Sequence, residues 1–171
     1  MELGNSVVTT QKALQTPDTK FQIRPVRLHD VDALHIRCWS DRPYQWVYQL
    51  VRRAQQIAHQ GRGLGIVVLN NNVIQAYGQV TMWTCCAEIS DLIVAPASRS
   101  QGIGTAMIQY LTRIAREMHA PCVEIGVALG NPRALALYRR LGFVDDHVRK
   151  LNIGNGQESV LYLKIDFEKD I

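Results

Sequence analysis

One stretch limits the folds open to this chain more than any other. It runs from Glu88 to Met107 and reads Glu-Ile-Ser-Asp-Leu-Ile-Val-Ala-Pro-Ala-Ser-Arg-Ser-Gln-Gly-Ile-Gly-Thr-Ala-Met. Ile89 to Val94 is a short apolar run rich in β-branched residues and stopped by Pro96, which predicts a buried strand. Gly102 and Gly104 then stand directly before Met107, Tyr110, Leu111, Ile114 and Met118, whose three- and four-residue spacing predicts a helix. The turn between them leaves backbone N–H groups unshielded at the positive end of a new helix. That arrangement suits a phosphate or pyrophosphate.

Spacing decides which anion loop this is. A Walker P-loop needs a lysine after its glycines, and Gly104 is followed by Thr105; a dinucleotide fingerprint needs a small residue where Met107 stands. Instead, Arg99, Gly102 and Gly104 fit the pattern Arg/Gln-x-x-Gly-x-Gly/Ala, which resembles the acetyl-coenzyme A loop of the GNAT N-acetyltransferase superfamily. A second stretch, from Asn131 through Ala134 and Tyr138 to Gly142-Phe143, resembles that family's Asn-x-x-Ala-x-x-x-Tyr-x-x-x-Gly-Phe signature. The two motifs stand in the family's order and cover roughly the second half of the chain, while the part before Val80 carries no matching motif.

The resemblance implies an α/β (α+β) fold with a mixed, mostly antiparallel central sheet and helices on both faces. It also implies an acetyl-coenzyme A site along the strand residues Leu92, Ile93 and Val94 and the loop residues Arg99, Ser100, Gln101, Gly102, Ile103, Gly104 and Thr105. Asn131 and Tyr138 join that site from the second motif. The pantetheine arm would lie between the strand ending near Val94 and the next one, Cys122 to Val127.

The bulk properties agree with one folded unit. At 171 residues, with 47% apolar and 20% charged residues, the chain can build a single domain, expected over 21–171 behind a polar, turn-prone tail over 1–20. No apolar run approaches a membrane span and residues 1–20 lack a signal-peptide pattern, so the cytoplasm is the expected setting and no membrane partner is expected. The net charge of +4 suits a polyanionic ligand but is too small to argue for nucleic acid. Cys38, Cys85, Cys86 and Cys122 form no C-x-x-C pair and read as reduced thiols, and the scattered histidines argue against a metal.

Along the first half, Phe21 to Val26 alternates like an edge strand, and Asp30 is a plausible N-cap for the helix that follows. Trp39 to His59 is helical in pattern and carries Trp39, Tyr44, Trp46 and Tyr48, which either line a groove or pack into the core. Gly61, Gly63 and Gly65 read as a helix cap and linker. Ile66 to Leu69, the turn Asn70-Asn-Asn72 and Val73 to Met82 read as a hairpin, extended by a third strand from about Thr84 to Val94. Later, Asn131 with Pro132 opens a short helix closed by Gly142, Val144 to Leu151 reads as irregular, and Ser159 to Ile165 is the last strand.

Acetyl transfer from a thioester to an amine needs a proton acceptor for the amine, stabilisation of the oxyanion and a proton for the thiolate. Glu88, in an Ala-Glu-Ile context, resembles the glutamate base of some family members; Asp91 competes, but strand alternation turns it to the other face unless a bulge intervenes. A backbone N–H near Leu92 to Val94 would hold the oxyanion, and Tyr138, protonated at neutral pH, matches the family's general acid.

The expected acceptor is a primary amine of a small molecule or peptide, attacking directly in a ternary complex; the alternatives are acetylation of a protein N-terminus or lysine and, from another class, a non-catalytic acyl-coenzyme A sensor. Between Ile36 and Gly65, Arg37, Arg42, Arg52, Arg53 and Arg62 face one acid, Asp41, which favours a neutral or carboxylate-bearing acceptor over a polycation. Assembly as a homodimer stays open.

Overall fold

The computed structural model describes residues 20–152 and 156–167. The expected tail over 1–20 therefore lies, apart from Lys20, outside the described residues. Among the described residues, seven strands form one sheet in the order β1-β2-β3-β4-β5-β7-β6. They are β1 (Gln22–Pro25), β2 (Gly63–Asn70), β3 (Val73–Met82), β4 (Ala87–Val94), β5 (Cys122–Ala128), β6 (Val144–Asn152) and β7 (Gln157–Asp166). Every neighbouring pair is antiparallel except β4 and β5, which are parallel and joined through a helix.

Four helices cover this sheet: α1 (Val31–Cys38), α2 (Tyr44–His59), α3 (Ile103–Glu117) and α4 (Pro132–Arg140). The apolar stripe of α3, Ile103, Met107, Ile108, Leu111 and Ala115, packs with Ile66, Ala76, Val80, Ile89, Val123, Ile125 and Leu163 on one face. Gly78 permits that contact, because a Cβ there would fall 2.7 Å from Leu92 Cδ2 and 3.0 Å from Met107 Sδ. On the other face Leu34, Val47, Leu50, Val51 and Ala54 of α1 and α2 bury Val67, Leu69, Ile74 and Tyr77. The second cluster draws its sheet residues from β2, β3 and β4 alone, so β5, β6 and β7 lie outside it. The mixed sheet and its two helical faces are as expected.

Local readings hold unevenly. The hairpin turn is as expected, with Asn71 and Asn72 both at positive φ, as a two-residue turn of type I′ requires. The helix expected from Trp39 breaks over 39–43, because Pro43 lacks an N–H and disfavours helical backbone before it. Trp39 turns inward instead, edge-on to Trp46 and Tyr77, so the aromatic stripe divides into a buried Trp39 and exposed Tyr44 and Trp46. The Asp30 carboxylate does not cap α1. It accepts from both Arg24 guanidinium nitrogens at 2.8 Å and from the Arg27 N–H at 2.8 Å. Burial works against that charge, but these bonds hold its carboxyl below the usual range.

Gly63 and Gly65 belong to β2 rather than to a linker; a Cβ at Gly63 would stand 2.2 Å from the Val80 carbonyl oxygen. The segment read as irregular after Val144 is the regular strand β6, which shows no apolar pattern because none of its nine residues is buried. The cysteine reading is also corrected. Cys86 and Cys122 form a disulfide, because they precede and open the first rung of the β4–β5 ladder and their Cα atoms are 5.0 Å apart. Cys38 and Cys85 remain free. Thiol titration of the denatured chain without reductant should count two thiols, rising to four after reduction; four at the outset would contradict the pairing.

Candidate active site

The site begins with a change of facing inside β4. Ala87 and Ile89 point into the α3 core, so Glu88 and Ser90 point to the opposite face. Ser90 pairs with Gln79 and Ile93 with Tyr77, which leaves Asp91 and Leu92 together opposite Gly78. With Asp91 at φ +54°, this is a β-bulge. After it Leu92 and Val94 pack with the α3 core and Ile93 with the α1–α2 cluster.

The bulge corrects the expected alternation, which would have turned Asp91 away from Glu88. A relay holds Asp91 in place. The Tyr77 hydroxyl donates to Gln79 Oε1 at 2.8 Å, Gln79 Nε2 donates to Ser90 Oγ at 3.2 Å, and Ser90 Oγ donates to Asp91 Oδ2 at 3.3 Å. Desolvation raises the Asp91 pKa, while Ser90 and Arg53 of α2 oppose it.

The same departure opens a gap. Only Ala87, Glu88 and Ile89 pair with Val123, Glu124 and Ile125 of β5. Beyond them β4 stays with β3 and β5 stays with β7, so the strands part at their carboxyl ends, where sheets of this kind receive ligands. Leu92, Ile93 and Val94, all partly buried, form the β4 side of that gap.

Glu88 stands at the foot of the gap. Trp83 Nε1 donates to its Oε2 at 2.8 Å. Its pKa is raised, first by burial and then by Glu124 and Asp91, against the lowering effects of the Trp83 bond and Arg149. Tyr138 lies across the sheet, on α4 and within the α3 core, tilted against Phe143 at 6.4 Å. Its hydroxyl bonds to no other described residue, and burial pushes its pKa up to about 12.

The loop links these parts. Ala95 N–H donates to the Gln75 carbonyl at 2.7 Å, and the Gln75 side chain accepts from Ser98 Oγ and from Arg37 Nη2. Arg99 is exposed and extended, with Nε 3.4 Å from the Val94 carbonyl. Ser100, at φ +65°, accepts from Arg133 Nη2 at 2.5 Å, which ties the loop to α4. Gln101 is exposed, and Gly102, at φ +84°, is the N-cap of α3. A Cβ at Gly102 would meet nothing within 4 Å, and one at Gly104 only Leu137 Cδ2 at 3.6 Å. Positive φ, rather than crowding, calls for glycine at 102.

Ile103 turns into the core and Thr105 is half-buried, so the backbone N–H groups opening α3 face a clear space. Asn131 Oδ1 caps α4 by accepting from the Ala134 N–H at 3.1 Å. A separate cleft of about 260 Å³ opens between α3 and the turn at Leu141 and Phe143, and none of these site residues lines it.

Residues 28–143 match the Acetyltransferase (GNAT) family. The chain belongs to the GNAT acetyltransferase family. Over 64 residues it is 39% identical to an uncharacterised N-acetyltransferase of Methanocaldococcus jannaschii, a match covering 37% of this chain and 28% of that protein. The chain thus spans less than a third of that relative.

Among solved structures it resembles an acetyl transferase from Salmonella typhimurium that modifies the N-terminal serine of ribosomal protein L7/L12. The TM-score is 0.77 at 15% identity, over 88% of this chain and 97% of the other. A putative acetyltransferase from Salmonella typhimurium, solved with its cofactor acetyl-CoA, gives a TM-score of 0.68 at 18% identity, over 88% and 96%. At these identities the likeness is one of fold.

Within this GNAT chain, several residues around Glu88 escaped the sequence reading. Trp83 was an isolated aromatic in a turn, and Arg149 and Tyr162 met only when β6 paired with β7, where Arg149 lies 5.3 Å over the Tyr162 ring. Glu124 was legible in principle from its place between buried Val123 and Ile125. Of the five arginines singled out, Arg37 is taken up by the Ile74 carbonyl and Gln75. Arg42 stacks on Trp46, Arg62 lies over Trp83 and Arg53 acts on Asp91.

The Trp83 bond favours the charged form of Glu88, so Trp83→Phe should raise the Glu88 pKa further. Carboxyl carbon NMR titration would read this directly; an unchanged or lower value would deny the indole that influence.

Proposed function

We propose that this chain is an acetyl-CoA-dependent N-acetyltransferase that moves an acetyl group to a primary amine of a small molecule or peptide by direct attack in a ternary complex. The observation that carries the proposal is the open N-terminus of α3 beside the gap where β4 leaves β5. A pyrophosphate fits there, because the clear space over Gly102 and Gly104 lets it approach the N–H groups of 103–105. Arg99 is exposed at the same turn and adds a positive charge. The acetyl-CoA bound by a neighbour of like fold supports the assignment. When bound, acetyl-CoA supplies the acetyl group as a thioester.

The residues then divide the remaining tasks. The backbone of Leu92 to Val94, with no strand partner on the gap side, is free to hold the pantetheine amides and the oxyanion. Glu88 takes a proton from the amine, directly or through a water, and its raised pKa brings it closer to the working range of a base near neutrality. Tyr138, protonated well past neutrality, gives a proton to the departing sulfur. A non-catalytic acyl-CoA sensor would need neither residue. The cytoplasmic setting belongs to the same proposal; among the described residues no helix is long and apolar enough to cross a membrane.

For the acceptor we infer a neutral or carboxylate-bearing amine, such as an amino acid or a peptide end. Arg53, Arg62 and Arg149 reach toward the carboxylates and the indole around Glu88, where they would meet an acceptor carboxylate and repel a polycation. The structural neighbour that acetylates a protein N-terminus supports a peptide acceptor.

Two variants separate binding from chemistry. Gly102→Glu puts a charge where the pyrophosphate lies and should abolish calorimetric binding of acetyl-CoA, whereas Tyr138→Phe should bind it normally and lose about 10²-fold in turnover. Undiminished affinity in the first variant would sink the loop assignment, and near-normal turnover in the second would remove Tyr138 from the mechanism. Thiol release measured with glycine, L-alanine, tripeptides beginning with Ser or Ala, spermidine and an aminoglycoside tests the acceptor. Preference for the last two would overturn the charge argument.

A further inference from the structure

β5 presents one charged side chain, Glu124, to the sheet face that carries Glu88. The parallel register places it beside Glu88, on a strand about 4.8 Å away. Its antiparallel neighbour on β7 is Lys164, the cation best placed to neutralise it. Lys164 is already engaged, with Nζ 3.2 Å from Asp166 and 3.7 Å from Asp146. Glu124 makes no hydrogen bond or ion pair with another described residue, although it is only partly exposed.

Half-buried carboxylates without a partner are costly, and two side by side repel. The groups facing the pair offer little relief. Asp91 adds a third negative charge from the bulge, Tyr162 from β7 is neutral, and the Trp83 indole serves Glu88 alone. Arg149 from β6 is the cation that acts on Glu88, and it lies over the Tyr162 ring; His147, also from β6, stacks on the same ring at 5.0 Å and hydrogen-bonds Asp146. Arg53 acts on Asp91. Among the described residues no cation pairs with both Glu88 and Glu124.

We propose that the cation between Glu88 and Glu124 is the acceptor's own ammonium group, and that Glu124 is the residue that binds it. A primary ammonium carries three donors, enough to bridge both carboxylates. One proton passes to Glu88, while Glu124 holds the nitrogen beside the gap. The substrate class follows: an amine that arrives protonated, bearing one positive charge at the reacting nitrogen, with its remaining charge neutral or negative toward Arg149. This inference rests on the reading of Glu88 as the proton acceptor.

Glu124→Gln tests it with the acceptor from the panel above that turns over fastest. KM for the amine should rise roughly tenfold or more, the scale of one charge-assisted hydrogen bond, with KM for acetyl-CoA and kcat changed by no more than about twofold. Glu124 raises the Glu88 pKa, so its removal should move the acid limb of kcat/KM for the amine to lower pH. Glu124→Asp should recover part of the affinity.

Binding is read without turnover by following the Glu124 carboxyl carbon resonance during titration with ethylammonium chloride. A saturable shift is expected, also in Glu88→Gln, and none with tetramethylammonium, which has no N–H. An unchanged amine KM and acid limb in Glu124→Gln, or no ethylammonium shift, overturns the inference. Should Glu88→Gln keep the wild-type rate and pH profile, the base reading fails, and the ethylammonium titration alone decides for Glu124.

Discussion

A single extra residue in β4, Asp91 at φ +54°, sets the layout on which the site depends. Without it the residues at 92 and 94 would face α1 and α2, and Leu92 could not close on Gly78 and Met107. With it, the strand supplies polar groups to one face in its first half and apolar groups to the other face in its second. The bulge lies just beyond the last rung shared with β5, so the strand bends away where the gap opens. The relay from Tyr77 through Gln79 and Ser90 secures the unusual backbone from inside the core, since each buried polar group in it finds a partner.

Electrostatics on the Glu88 face are built from near-neighbours of both signs. Glu88 and Asp91 come from β4 and Glu124 from the β5 position paired with Glu88, while Arg149, Arg53 and Arg62 arrive from β6, α2 and the turn before β2. Most of these side chains reach solvent, so their mutual effects are screened and matter for protonation and recognition more than for folding. A buried ion pair lies elsewhere, in the two short bonds between Arg24 and Asp30 that hold β1 to the turn before α1.

The features written into adjacent residues were legible beforehand. The strand, glycine turn and helix over 88–107, the Asn-rich hairpin and the α4 start at Asn131 and Pro132 each follow from local chemistry. What escaped reading depends on pairing across the sheet. Alternation counted along β4 placed Asp91 on the wrong face, because a bulge is defined by the partner strand and leaves no mark in apolar spacing. The polar strand β6 looked irregular because its order comes from β7, and Arg149 was lost with it. Cys86 and Cys122 are separated by 36 positions and meet through the parallel register alone. Pro43 was visible and should have divided the helical pattern at Trp39.

The sheet separates two bodies of side chains that share almost no atoms. Tyr138, the apolar stripe of α3, Leu92 and Val94 belong to one buried cluster, while Glu124, Arg149, His147 and Trp83 lie outside both clusters. Substitutions among exposed residues outside a core usually change stability by about 0.5 kcal/mol or less. A lineage of this chain can therefore exchange the residues of the Glu88 face one at a time, without repacking the α3 core on the other face. The bulge makes this possible by assigning successive residues of one strand to separate selective pressures.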